Sequence, residues 1–336
     1  MKKTHYEKIV YGDRFSTLEY FKMLDKEFAD ENFTYQELGD FVLANSDLGV
    51  LDKRNMNAMA NMLFHTYNFY RGHGRLYEIS DGISDMLMNT RLDVDCSLVK
   101  TPFREIILLV PPKLMKIYNQ DTGLHDLYTI YVHYNEERSS EMRILCVGKE
   151  NENSVDHFDD ALYYFRVDLI AGKAQRCLQD QMEDWKKNPE MEKYSSEEEV
   201  NSTAKVFQLV LNCLLYITSA DPDIRRVDSR YVNLKSKFER LKSNGKKRKL
   251  ERQIAEETKL NKYVIGASIV KTAAEQRLYS MIREGGTHKI RYPVGGHYRM
   301  QWYGQQEERF QKHKWIRPHF RGPEMAELIR NIGVIK

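Results

Sequence analysis

The chain has 336 residues, 41% hydrophobic, 30% charged and 11% aromatic, with eight prolines. The length exceeds a typical single domain of roughly 150 residues, and the apolar content excludes a disordered, collagen-like or low-complexity chain. The formal charge of +3 conceals a division: residues 1–224 carry 25 Lys and Arg against 38 Asp and Glu, a balance of −13, and residues 225–336 carry 27 against 11, a balance of +16.

Capping boxes open the predicted elements. Ser16-Thr17-Leu18-Glu19 and Thr34-Tyr35-Gln36-Glu37 each precede a helical apolar pattern, with the hydroxyl accepting from an amide three residues on while the Glu reaches back. A third helix is expected over Met56–Phe69, with Met59, Met62, Leu63 and Tyr67 as core filler and Gly72 beyond its end. Residues 1–95 therefore read as a helical amino-terminal region. The period then changes. Ile106 to Val110, stopped by Pro111-Pro112, reads as a buried strand, and Leu127–Tyr134 with Met142–Val147 as an antiparallel hairpin. Leu162–Leu169 adds a strand and Lys173–Trp185 a helix, so 96–190 reads as a sheet region, with a charged linker over Lys186–Glu199.

The next helix starts at Ser195-Ser196-Glu197-Glu198 and runs through Val206, Phe207, Val210, Leu211, Leu214 and Leu215 to a stop at Asp221-Pro222-Asp223. Within 191–224 it reads as a buried central helix, too short and too interrupted to span a membrane. The segment 225–260 reads as a solvated basic linker, since 225–252 hold twelve Lys and Arg against three acids, including Lys246-Lys247-Arg248-Lys249. The fold class expected is α+β: a helical amino-terminal region, a central antiparallel sheet with a buried helix, and a basic carboxyl-terminal β-ribbon module. No run approaches the ~20 apolar residues of a bilayer span, and no apolar segment follows Met1-Lys2-Lys3, so the expectation is a cytosolic protein without a membrane partner. Cys96, Cys146, Cys177 and Cys213 form no CxxC pair, and Cys146 and Cys213 read as small buried hydrophobes.

Residues 261–336 read as a helix followed by the basic aromatic module. Four of the ten histidines fall in 288–322, with Arg291, Arg299, Arg309, Arg317, Arg321, Trp302, Trp315, Tyr298 and Tyr303. Glycine-bounded runs, Gly296 to Gly304 and Lys312 to Gly322, suggest a two-stranded ribbon. Cations interleaved with rings suit RNA: guanidinium forks grip phosphate, and Tyr or Trp faces stack bases. The candidate contacts are Arg291, His297, Tyr298, Arg299, Trp302, Tyr303, Trp315, Arg317, His319 and Arg321, with Lys246, Lys247, Arg248 and Lys249 along a phosphate backbone. The alternative is a small aromatic core whose His and Arg are held by hydrogen bonds. His297 and His319 could instead work as base and acid at an RNA 2′-hydroxyl, which leaves open whether the chain is an enzyme. The histidine spacing suits no tetrahedral metal, and no cofactor is expected.

Six elements stand in order along the chain: Thr101-Pro102 through Val110-Pro111, Leu214-Leu215-Tyr216, Asp221-Pro222-Asp223-Ile224, Tyr263-Val264-Ile265-Gly266, Gly296-His297-Tyr298 with Trp302 and Gly304, and Trp315 with Pro318. In that order they resemble elements of the type V-A anti-CRISPR proteins that block production of the CRISPR effector nuclease. The resemblance covers roughly 100–322. It implies a phage- or plasmid-borne adaptor in the bacterial cytoplasm that recognises the nascent amino-terminal peptide of the effector nuclease and brings about loss of its message. The partners it implies are that peptide and messenger or ribosomal RNA. A metal-independent ribonuclease, and a mobile-element protein with another target, are the alternatives.

Overall fold

The computed structural model describes residues 4–11, 17–28, 33–45, 53–119, 122–134, 140–149, 162–169, 172–187, 196–241, 244–270, 292–305 and 308–321. Helices α1 (His5–Tyr11), α2 (Thr17–Glu27), α3 (Tyr35–Asn45) and α4 (Lys53–Asn68) open the chain. At the start of α3 the capping box forms: the Glu37 amide donates to Thr34 Oγ1 at 3.2 Å, and the Thr34 amide donates to the Glu37 carboxylate at 2.6 Å. Met62, Leu63 and Tyr67 of α4 are buried, as their spacing predicts. The helix passes into a π-helical turn, Phe69–His73.

A strand follows directly within the region expected to be helical: β1 (Gly74–Ile79). It is the keystone of an eight-stranded sheet in the order β6-β5-β4-β2-β1-β8-β7, with β3 also pairing β4. The other strands are β2 (Glu105–Leu109), β3 (Lys116–Asn119), β4 (Gly123–Tyr134), β5 (Glu141–Gly148), β6 (Leu162–Asp168), β7 (Ile224–Val227) and β8 (Lys262–Ile265). The sheet is antiparallel from β6 to β2, as expected, and becomes mixed because β1 runs parallel to both β2 and β8. Strand β2 is apolar without alternation because both its faces are covered: Ile106 and Leu108 enter one core cluster and Ile107 the other. Helices α1 to α4 cover one face. The other is covered by α5 (Asp81–Met88), α6 (Ala174–Lys187) and α7 (Glu197–Thr218).

Ser196 caps α7, its hydroxyl accepting from the Glu199 amide at 3.1 Å. Against the expectation of a helix too short and interrupted to span a membrane, its 22 residues are long and apolar enough by length and composition. Its side chains from Leu209 to Tyr216 are nevertheless buried, which is the place of a core helix. The stretch read as a basic linker is also built differently: it holds β7, α8 (Tyr231–Arg240) and α9 (Asn244–Glu256). The helix expected between 261 and the ribbon lies outside the described residues where 271–291 are concerned. All four cysteines are buried, and none is joined in a disulfide.

Buried polar groups tie the layers together. Glu105 at the start of β2 is met by His65 of α4 at 2.7 Å and by His133, its register partner on β4, at 3.2 Å. Glu7 of α1 accepts from the Thr4 amide at 3.1 Å, from Thr258 Oγ1 at 2.5 Å and from the Lys259 amide at 2.5 Å. The amino-terminal helix is thereby fastened to the segment leading into β8.

Candidate functional site

The carboxyl-terminal module is the expected ribbon. Strand β10 (His297–Tyr303) pairs antiparallel with β11 (Phe310–Ile316), and β9 (Tyr292–Val294) with β12 (His319–Arg321). The turn leaves β10 through Gly304 at φ 91°, where a Cβ would stand 2.5 Å from the Glu308 carbonyl oxygen, so only glycine fits. Directly opposed residues share a face. Tyr298 with Trp315, Met300 with His313 and Trp302 with Gln311 therefore line one side; Arg299 with Lys314, Gln301 with Lys312 and Tyr303 with Phe310 line the other.

The root of the first side belongs to the core. Tyr298 is buried, and its hydroxyl donates to the Asn212 carbonyl of α7 at 2.9 Å. His313 Nε2 donates to the Leu215 carbonyl at 2.8 Å, and burial holds its imidazole below the usual pKa. Trp315 Nε1 donates to Thr90 Oγ1 at 3.1 Å, and its ring meets Tyr216 edge-on at 5.2 Å. Gly296 closes this seam, because a Cβ there would lie 2.5 Å from Thr90 Oγ1. Tyr298 is thus a core residue rather than the contact expected of it, and Trp315 spends its N–H on the fold. Both were aromatic positions on a ribbon whose two sides the sequence does not distinguish.

The tip and the opposite side are open. Trp302 is 59% exposed and Phe310 56%. Phe310 stacks on Tyr303 at 6.0 Å and 25°. Arg299 and Lys312 are exposed and Lys314 half-buried, so a run of cations ends at a pair of stacked rings. Arg299 and Lys314 face each other directly, an arrangement that costs stability until an anion joins it. His297 and His319 come together with ring centroids 6.3 Å apart. Each is turned by its Nδ1, His297 toward the Gly295 carbonyl at 3.2 Å and His319 toward the Arg317 carbonyl at 3.0 Å. Arg317 is exposed beside them. Arg291 and the side chain of Arg321 lie outside the described residues. Among the described residues no group of His, Cys, Asp or Glu is disposed to hold a metal ion.

Lys246, Arg248 and Lys249 are exposed on α9, and Lys247 lies over the Phe238 ring of α8 at 5.6 Å. Sequence reasoning passed over a cavity of about 820 Å³ on the α7 side of the sheet, lined by Asp85, Met88, Leu114, Met115, Leu124 and Glu198 among others. Its walls come from α5, the turn before β3, β4 and α7, and no local pattern joins them.

A family model for the AcrVA2-like proteins, described as the anti-CRISPR type V subtype A2 family, matches residues 77–320, from β1 to β12. The chain belongs to this family. The type V-A anti-CRISPR resemblance carried by the ordered motifs is borne out, and the AcrVA2-like match extends it back into β1. No curated protein matches. Among solved structures, the crystal structure of AcrVA2 is similar over 91% of this chain and 98% of that chain, at 14% identity and a TM-score of 0.44. The AcrVA2-like span includes the ribbon, the α8–α9 pair and all the residues that line the cavity, and leaves α1 to α4 outside it.

Proposed function

We propose that this anti-CRISPR family member works as an adaptor in the cytoplasm of a bacterial host. In this reading it engages the nascent amino-terminal peptide of the type V-A effector nuclease and, through its ribbon, messenger or ribosomal RNA, so that the effector message is lost. The observation that carries the RNA part is the open face on which Arg299 opposes Lys314 beside the Tyr303–Phe310 stack. Its cations would be neutralised by phosphates, and the exposed Trp302 ring offers a platform for a base. We assign the peptide to the cavity of about 820 Å³, whose Met88, Met115, Leu114 and Leu124 walls suit apolar side chains, while Asp85 and Glu198 with Lys116 and Lys205 offer charges of both signs to a peptide's polar groups. This reading needs no membrane and no cofactor.

The test is message abundance in a host carrying a type V-A system, with the effector's amino terminus intact or recoded to a different peptide. Loss of the intact message alone supports the adaptor. Equal abundance of both messages, with and without this protein, overturns it in favour of another target. The closeness of His297 and His319 favours a second reading, a metal-independent ribonuclease. Labelled RNA cleaved in EDTA by the purified protein, and left whole by a His297→Ala variant, would establish that reading.

A further inference from the structure

Helices α8 and α9 make an arm that the fold itself does not use. They connect β7 and β8, which are antiparallel neighbours at the end of the sheet, so the pair is an excursion from the sheet rather than a route across it. No residue of α8 is buried. Residues 231–256 carry nine Lys and Arg against three acids. Between the helices lies a cleft of about 430 Å³ lined by Lys237, Arg240, Lys246 and Lys249, with Leu241 and Leu250 half-buried among them. Among the described residues no acidic side chain lines it.

The spacing explains the cleft. Lys237 and Arg240 are three residues apart on α8, and Lys246 and Lys249 three apart on α9, so each pair lies on one helix face. The Lys247–Phe238 contact packs the helices together. Four like charges around one cleft repel one another until an anion enters.

We propose that this cleft is a second RNA site, separate from the ribbon, which clamps the phosphate backbone of a single strand. Lys237 and Arg240 close on the backbone from one side, and Lys246 and Lys249 from the other. Leu241 and Leu250 lie beneath a ribose or an unstacked base. A regular chain of phosphates satisfies two facing pairs of cations, and the apolar residues between them suit a strand whose bases are free. The inference rests on the RNA part of the function proposed above, and adds to it an arm that the ribbon does not supply.

The experiment titrates the full chain with a fluorescein-labelled oligouridylate at several salt concentrations, reading affinity by anisotropy. Replacing Lys237, Arg240, Lys246 and Lys249 together by Ala is expected to reduce the slope of log K against log salt by about 3, at roughly 0.7 per contact. The Lys246→Arg and Lys249→Arg variants keep the charge and should keep the slope. A quadruple variant with the wild-type slope, alongside an Arg299→Ala variant whose slope falls, overturns the arm and leaves the ribbon standing. A flattened slope in the quadruple variant with none in Arg299→Ala supports the arm and removes the ribbon. No retention of oligouridylate at low salt, with binding of fluorescein-labelled polyglutamate that the quadruple variant loses, overturns both and assigns the cleft to an acidic protein.

Discussion

His65 Nδ1 stands 2.7 Å from Glu105 Oε1, with both side chains fully buried between α4 and the sheet. Burial holds the Glu105 carboxyl well above its ordinary range. His65 is held well below its own by burial, reinforced by the nearby His133 and Arg143. Tyr131, facing His65 from β4, and His5, which meets the Tyr131 hydroxyl at 2.8 Å, complete the titratable surroundings. Burial thus disfavours the charged form of both partners. As pH rises above 4.5, the unfolded chain loses the Glu105 proton that the folded chain keeps, so this group subtracts stability with rising pH. Glu105→Gln keeps the shape and has no proton to lose. Its melting temperature should gain on wild type steadily from pH 5 to pH 8 in calorimetric scans; parallel curves would show that Glu105 ionises as freely folded as unfolded.

A different pH limb belongs to His5. Burial, with Lys8 nearby, lowers its pKa from 6.5 to about 4. Between those values the unfolded chain binds a proton that the folded chain does not, so stability falls as pH drops through this window. His5→Gln should flatten that fall, measured by urea unfolding at pH 4.5 and pH 7. An unchanged difference between the two would place the loss elsewhere.

Tyr298 and Trp302 lie on the same side of the ribbon and should behave oppositely. Tyr298→Phe removes a donor from the Asn212 carbonyl and should cost about 1 kcal/mol of stability while leaving RNA affinity alone. Trp302→Ala, at an exposed ring, should stay within about 0.5 kcal/mol of wild-type stability and lose about 1–3 kcal/mol of RNA affinity. Chemical denaturation and anisotropy titration check both. A large fall in stability for Trp302→Ala would return that ring to the core.

Arg299→Gln relieves the like-charge pair with Lys314. The variant should therefore melt at or above the wild-type temperature while its RNA affinity becomes less sensitive to salt. A lower melting temperature with unchanged salt dependence would make Arg299 a structural residue.

Glu7→Gln tests the clasp between α1 and the chain before β8. A carboxamide cannot offer two acceptor oxygens to Thr4, Thr258 and Lys259 at once. We expect a loss of about 1–3 kcal/mol, read by urea unfolding. Hydrogen exchange should rise at the Lys259 amide; unchanged protection there would show that the bond is dispensable.

Local chemistry was legible in the sequence wherever it was contiguous. The Thr34–Glu37 cap, the doubly covered β2, the β4–β5 hairpin, the buried α7 and the ribbon pairing all follow from neighbouring residues. Strand β1 was missed because Gly-Arg-Leu-Tyr-Glu-Ile is short and directly follows a helix, so its strand character comes from β2 and β8 on either side. The Lys- and Arg-rich stretch was read as a linker because its apolar residues are few, and α8 does form without burying any of them. For the ribbon, charge and ring content were visible, while the side that docks on α7 was not. That choice is made by Asn212, Leu215 and Thr90, far away in the chain. The His65–Glu105 pair spans 40 residues and has no local signature.

Strand β1 pairs with β2 early in the chain and with β8 only at residues 262–265. During synthesis, one flank of β1 therefore has no hydrogen-bonding neighbour until most of the polypeptide has left the ribosome. Chains cut short before Lys262 would carry that bare edge permanently, a template on which two such fragments could join strand to strand. Premature stop codons upstream of β8 should accordingly give insoluble products rather than smaller working versions of the protein.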